Sequence, residues 1–218
     1  MVIAIDGLAA SGKGTLAKLL ARHFDYAYLD TGVLYRAVGA AVLAAGGALD
    51  DPSTATQAAQ KLDPTALSCL ADDGPLRTAA VGAAASQVAA IPGVRAALLD
   101  FQRTFCANPP GNKCGVVLDG RDIGTVIAPT AKVKIFVTAR PEIRAARRAK
   151  ELRARGESVT DATVLADMQA RDARDQNRGV APAQPAADAV WLDTSDLSVD
   201  QSFAQALAIV QEMTRLPS

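Results

Sequence analysis

The stretch Val2-Ile3-Ala4-Ile5-Asp6-Gly7-Leu8-Ala9-Ala10-Ser11-Gly12-Lys13-Gly14-Thr15 constrains this chain more than any other. Val2 to Ile5 is a short apolar run with the length of a buried strand. A loop from Gly7 to Gly12 follows, and then Leu16, Leu19, Leu20 and Phe24 recur on one face of a 3.6-residue period. A strand, Gly-x-x-x-x-Gly-Lys and a helix in this order form a phosphate-binding loop. Its glycines let the backbone curl so that N–H groups converge on one anion. The helix N-terminus adds the positive end of its dipole. Lys13 is expected to be an exposed cation whose partner is the ligand, reaching the outer phosphates. Gly7, Leu8, Ala9, Ala10, Ser11, Gly12, Lys13, Gly14 and Thr15 are thus the expected triphosphate site. Gly14 stands where a Ser or Thr commonly holds magnesium, and the hydroxyl comes one residue later, at Thr15. No side chain is therefore expected to ligate the metal directly.

Downstream, apolar runs and helical periods alternate. Residues 26–29, 115–119, 133–138 and 190–192 read as further strands. Helices are expected over 33–45, 53–62, 78–90 and 92–106, and a turn at Asp72-Asp73-Gly74-Pro75. Pro141 opens a basic helix that Gly156 breaks. Ser158-x-x-Asp161 reads as a capping box for a helix running to about residue 177, and Ser198-x-x-Gln201 as one for a terminal helix. Continuously apolar strands alternating with helices predict an α/β fold: a parallel sheet of about five strands, covered by helices on both faces. Ligands then belong beyond the carboxyl ends of the strands, where Asp6, Asp30, Asp119, Thr138 and Asp193 fall.

The 218 residues suit one domain, 1–218. Lys plus Arg number 23 and Asp plus Glu 23, so nothing global favours a nucleic acid or an anionic membrane. Cys69, Cys106 and Cys114 are odd in number and lack Cys-x-x-Cys spacing, which argues against a disulfide framework and a zinc site. No basic segment precedes the first apolar run, and Asp6 interrupts it, unlike a signal peptide. The longest apolar helical run, 38–49, falls short of the roughly 18 residues of a spanning helix. A cytoplasmic protein is expected, acting as a monomer.

Arg36, after Asp30-Thr31-Gly32, and Arg121, after the third strand, are planar forks suited to phosphate oxygens. Basic residues are dense between Arg140 and Arg178: Arg140, Arg144, Arg147, Arg148, Lys150, Arg153, Arg155, Arg171, Arg174 and Arg178. Some of this density makes a solvated helix face. A glycine break between two basic helices also suits a small closing lid, over 150–162, whose cations stabilise charge on transferring phosphoryl oxygens. Arg171, Asp175 and Arg178 fall at i, i+4 and i+7. That spacing fits an ion-pair ladder as well as it fits two forks and a carboxylate on a nucleotide.

The Gly-Lys-Gly-Thr form of the loop resembles the nucleoside monophosphate kinases. Along nearly its whole length the chain resembles the bacterial cytidylate kinases. The matching stretches are Asp6 to Thr15, Tyr28-Leu29-Asp30-Thr31-Gly32-x-x-Tyr35-Arg36, Ala85-Ser86-Gln87-Val88-Ala89 with Val94-Arg95, Asp119-Gly120-Arg121-Asp122-Ile123-Gly124-Thr125, Arg171 to Arg178 with Ala181-Pro182, and Ala186-Ala187-Asp188. The resemblance implies a P-loop NTPase fold with a monophosphate-binding region at 33–108, and transfer of a phosphoryl group from ATP to CMP or dCMP with Mg2+. It implies Arg36, Arg121 and Arg178 on the CMP phosphate, and Ser86, Arg95 and Asp122 on the cytosine. Asp175 with Arg171 would hold the sugar. Asp30 and Tyr35 would line the CMP site, while Lys13, Arg121 and Arg171 would act in catalysis. The loop Asp193-Thr194-Ser195 would border the adenine. Two departures stand out. The segment 66–78 is too short for the small antiparallel insert that many members carry, and Ala10 replaces a glycine, tolerable where that position needs no positive φ.

Other readings are weaker. Asn112-Lys113-Cys114-Gly115 superficially matches the guanine reader of a GTPase-like switch, but Gly115 stands where its aspartate belongs. A non-enzymatic nucleotide-binding module would not need Arg36, Arg121 and the basic segment. Adenylate, uridylate and shikimate kinases are the alternatives within the class.

Overall fold

A computed structural model describes residues 1–68 and 74–215. Cys69, and Asp72 and Asp73 of the expected turn, lie outside the described residues. The elements run β1 (Val2–Gly7), α1 (Lys13–Phe24), β2 (Ala27–Asp30), α2 (Thr31–Ala44), α3 (Pro52–Gln60), α4 (Pro64–Ser68), α5 (Ala79–Val88) and α6 (Pro92–Ala107). They continue with β3 (Val116–Gly120), β4 (Val133–Thr138), α7 (Pro141–Ala154), α8 (Asp161–Asn177), β5 (Val190–Asp193) and α9 (Val199–Arg215). The five strands form one sheet in the order β2-β3-β1-β4-β5, with helices on both faces. β1 is central and runs parallel to β3 and β4, pairing Ile3 with Val117 and with Val133. β5 runs parallel to β4.

The chain divides into two compact units. The first comprises Met1–Leu29, Arg103–Arg144 and Ala183–Ser218. Its core joins Ile3, Ile5, Val117, Ile135 and Val137 of the sheet to Leu16 and Leu20 of α1 and Ala206 and Val210 of α9. Removing these side chains from water is the main force holding the unit, at roughly 25 cal/mol per Å² of apolar surface. The Ser198–Gln201 capping box of α9 is present: Ser198 N donates to Gln201 Oε1 (2.8 Å) and Gln201 N to Ser198 Oγ (3.1 Å).

The second unit comprises Asp30–Gln102 and Ala145–Pro182. Val33, Leu34, Val38, Val42, Ala55, Ala85, Val88, Val94 and Leu98 fill its core. Gly39 lets α2 approach α5 closely: a Cβ there would lie 2.9 Å from that of Ala84. The expected cap of α8 is displaced by two residues. Thr160, not Ser158, is the N-cap; Thr163 N donates to Thr160 Oγ1 and Thr160 N to Thr163 Oγ1. Thr163 is better placed than Asp161 because the reciprocal bond must come from the third helical residue. Among the described residues no single helix is long and apolar enough to cross a membrane.

Candidate active site

In the first unit the phosphate loop forms as its sequence demands, with one correction. Gly12 takes φ 90° and ends the loop at α1. Ala10 also sits at positive φ, 56°. The condition under which an alanine would be free of strain there is not met. The turn sets the backbone, and the methyl group bears a cost that glycine would avoid. No side chain caps the start of α1, and no acid lies in its first turn. Its amides and dipole therefore face the loop without a side-chain cap. Ser11 Oγ is buried and has no hydrogen-bond partner among the described residues, as expected of a group that serves a ligand.

Lys13 is less exposed than its loop position suggests. Its side chain is 13% accessible, and Nζ lies 3.4 Å from Asp119 Oδ1 at the end of β3. The Tyr28 hydroxyl donates to Asp119 Oδ2 at 3.1 Å. This carboxylate also accounts for Gly14: a Cβ there would lie 2.9 Å from Asp119 Oδ2. The glycine that displaces the usual hydroxyl is the one that lets a carboxylate approach the helix start.

Three further contacts hold the loop. Thr194 Oγ1 donates to Ser11 O (2.8 Å) and Thr138 O (3.2 Å), so the loop after β5 fastens the phosphate loop directly. Arg144 Nη1 donates to Ala9 O (3.2 Å) and its Nε to Ala139 O (3.0 Å). Arg144 is buried and belongs to neither a solvated face nor a lid. Asp6 Oδ1 and Oδ2 accept from Ile123 N and Gly124 N, both at 2.8 Å. These bonds pin the π turn Ile123–Ile127, directly after Arg121 and Asp122. Burial pushes the Asp6 carboxyl up to about 7, against the pull of the two N–H donors. Asp122 is buried in this unit, and Arg121 Nη1 donates to Gly120 O at 3.2 Å.

The second unit gathers the other expected residues into three groups. Asp30 caps α2, accepting from Gly32 N through Oδ1 (2.9 Å). Its Oδ2 accepts from Arg36 Nη2 (2.7 Å) and Arg77 Nη2 (3.1 Å). Arg95, buried on α6, stands 5.4 Å from the Tyr35 ring centroid and donates to Ala89 O at 3.3 Å. Ser86 Oγ donates to Asp175 Oδ1 (2.8 Å), and Arg174 Nε donates to Ser86 Oγ (3.4 Å). Arg171 Nε stands 3.9 Å from Asp175 Oδ2. Arg178 does not share the helix face of Arg171 and Asp175. It follows the last turn of α8 in extended conformation and donates to Ala181 O.

Around the break between α7 and α8, Arg153 pairs with Asp161 (2.8 Å), and Glu157 accepts from Ala79 N at the start of α5. Arg148 Nη2 donates to Arg77 O (3.0 Å) and Arg155 Nη1 to Gly74 O (3.2 Å).

Sequence reasoning put Asp6, Asp119 and the 193–195 loop at the ligand edge of the sheet but did not show the contacts they make, left Arg144 in the basic run and did not single out Arg77. Asp6, Asp119 and the 193–195 loop carried a signal, the carboxyl end of a strand. Arg77 and Arg144 carried none.

A parallel sheet whose central strand runs into Gly-x-x-x-x-Gly-Lys and a helix defines a P-loop NTPase fold. The fold is shared by an uncharacterized protein from Eubacterium ventriosum, whose crystal structure matches with a TM-score of 0.53 over 99% of both chains, at 14% identity. The cytidylate kinase family model matches residues 3–212. The chain is 60% identical over 211 residues to a cytidylate kinase from Azorhizobium caulinodans, covering 97% of this chain and 98% of the relative. It is 58% identical to one from Paramagnetospirillum magneticum, covering 96% and 97%, and 59% identical to one from Xanthobacter autotrophicus, covering 97% of each. The chain belongs to the cytidylate kinase family.

Proposed function

We propose that this chain catalyses ATP + CMP (or dCMP) → ADP + CDP (or dCDP). The observation that carries the reading is family membership over residues 3–212 in a chain whose phosphate loop leaves the start of α1 uncapped. The loop amides and Lys13 would hold the ATP phosphates. Asp119 keeps the lysine oriented at 3.4 Å. Arg36, Arg121 and Arg178 would hold the CMP phosphate. That phosphate is itself the nucleophile. Its second ionisation lies near pH 6, so an oxygen is already charged at neutral pH and no general base is required. Catalysis then reduces to alignment and stabilisation of charge on the transferring group, the work assigned to Lys13, Arg121 and Arg171. The segment 150–162 would close over the nucleotides, and 33–108 would form the monophosphate side.

Magnesium fits this donor set. Among the described residues no group of three or more His, Cys, Asp or Glu side chains is placed to hold a metal ion by itself. The ion would take most of its oxygens from phosphates and water, with Asp119 as the nearby carboxylate. When bound it neutralises phosphate charge.

Cytosine presents an amine donor at C4 and acceptors at N3 and O2. Arg95 offers only donors and an ionised Asp122 only acceptors. The Ser86 proton is directed at Asp175 and its oxygen accepts from Arg174 Nε at 3.4 Å, which leaves one acceptor lone pair on that oxygen. This set matches cytosine and mismatches the C4 carbonyl and N3–H of uracil. A site built on such bonds discriminates by about 10⁴-fold. The enzyme would act as a cytoplasmic monomer on small nucleotides, without nucleic acid or membrane partners. A coupled assay against AMP, UMP, CMP, dCMP and GMP tests the reading: CMP and dCMP should be good acceptors and UMP poor. Equal turnover of UMP, or preference for AMP, would overturn it in favour of another small P-loop kinase.

A further inference from the structure

The strand that opens the phosphate loop also holds the turn that follows Arg121 and Asp122. Asp6 stands on β1 immediately before Gly7, where the loop begins. In the parallel register it lies opposite Gly120, the residue before Arg121. Its side chain reaches past that pair: Oδ1 accepts from Ile123 N and Oδ2 from Gly124 N, both at 2.8 Å. Those amides open the π turn Ile123–Ile127, whose own bonds return to Asp122. The Asp122 carbonyl accepts from Val126 N (2.9 Å) and Ile127 N (3.3 Å). At φ −144° and ψ 26°, Asp122 is where the chain leaves β3 for the turn.

The turn is gripped from the other side as well. A Cβ on Gly124 would lie 3.4 Å from Asp6 Oδ2 and 3.1 Å from Lys134 Cδ, so the glycine passes between a side chain of β1 and one of β4. Lys134 Nζ donates to Pro129 O at 2.6 Å, just beyond the turn, and pairs with Asp188 at 2.8 Å. Asp6, Ile123 and Gly124 are all buried, where an amide without an acceptor is costly. A charge is costly there too. Burial pushes the Asp6 carboxyl up against the pull of the two amides, and Asp122 pushes it the same way. A buried carboxylate that opposes its own ionisation is a poor source of stability. What it supplies is two acceptor oxygens in one plane, where a hydroxyl or a side-chain amide presents one.

We propose that Asp6 is a positioning residue for the acceptor nucleotide. Its carboxylate fixes the backbone that carries Arg121 and Asp122 relative to the phosphate loop that its own backbone opens. One residue thereby sets the separation of the donor and acceptor phosphates and the angle at which the base is read. The inference rests on the reading of Arg121 and Asp122 as acceptor contacts.

Asp6→Asn and Asp6→Ala in the full chain test it. Asn keeps the shape and one acceptor, and Ala keeps neither. Turnover of CMP and UMP is normalised to the enzyme that binds a β,γ-imido ATP analogue with Mg2+ in calorimetric titration. Misplacing the acceptor should lower kcat for CMP about tenfold to hundredfold, more in Ala than in Asn. The CMP-to-UMP ratio of kcat/KM should fall about tenfold, because Asp122 no longer meets the base squarely. Affinity for the ATP analogue and KM for ATP should stay near wild type, since Thr194 and Arg144 still hold the loop. Variants with wild-type kcat and CMP-to-UMP ratio, whatever their Tm, would overturn the proposal. So would an equal loss in analogue binding and in CMP turnover, the mark of a phosphate loop that has come apart. If Asp6→Ala does not fold, Asp6→Asn decides alone. If wild type prefers another monophosphate, the substrate reading alone fails, and the same variants with that nucleotide and its nearest competitor still decide Asp6.

Discussion

Replacing Ala10 by glycine should stabilise this protein, although it removes a methyl group and loosens the unfolded chain. Ala10 adopts φ 56°, a left-handed conformation that costs a residue with a Cβ about 1–2 kcal/mol. Glycine removes that cost but loses about 0.5–1 kcal/mol more backbone entropy on folding. The difference favours Ala10→Gly by roughly 0.5–1 kcal/mol. On a chain of this size such a gain raises Tm by about 1–3 °C. Ala9 is the internal control. It is the same residue type one position earlier in the same loop and is not at positive φ, so Ala9→Gly should lower Tm by a similar amount. Calorimetry of the two variants beside wild type, without nucleotide, reads both signs in one experiment. A fall in Tm for Ala10→Gly, or a shift of the same sign for both, would refute the reasoning.

Lys13→Ala should abolish phosphoryl transfer while lowering stability by only about 1 kcal/mol, since Asp119 keeps its bond from Tyr28; turnover within tenfold of wild type would sink the assignment. Asp6 makes a pH prediction. Burial raises its carboxyl from the ordinary 3.8 to about 7 in the folded protein, so the folded state holds the proton more tightly. Its contribution to stability is fully present below about pH 4 and is lost as pH rises through about 7. The stability of wild type relative to Asp6→Asn, from urea denaturation at pH 5 to 8, should therefore fall with pH, and a pH-independent difference would count against burial as the cause.

The fold was legible because its signals were local. Val2 to Ile5, 133–138 and 190–192 are apolar runs bounded by turns, and each appears as a strand with ends within two residues of those expected. The cap at Ser198 was legible for the same reason. The cap at Thr160 was misplaced because Ser158 and Thr160 both satisfy the cap preference, and only the entry path of the chain decides between them. Near the expected site residues, the i, i+4 spacing showed the Arg171–Asp175 pair, but the partner of Lys13 was not readable. Asp119 meets Lys13 and Tyr28 because β3 lies between β1 and β2 in the sheet, an adjacency no local window encodes. Arg144 sat in a basic run whose composition suggests solvent. Its burial follows from two carbonyls, Ala9 and Ala139, that a sequence cannot show as needing donors.

The position of β1 in the sheet bears on the order in which the protein can be made. β1 lies between β3 and β4, so Val2 must wait for Val116 and Ile3 for Val133. At about 5–20 residues per second, a ribosome leaves this apolar strand without either neighbour for on the order of ten seconds. The curl at Ala10 and Gly12 has no sheet to hang from during that interval, so nucleotide cannot template the early chain. The segment Asp30–Gln102, whose helices are close in sequence, can collapse first at low loop-closure cost. The strand made before its partners is then among the last to find its place, and Val2 to Ile5 is the stretch that a chaperone would have to shield.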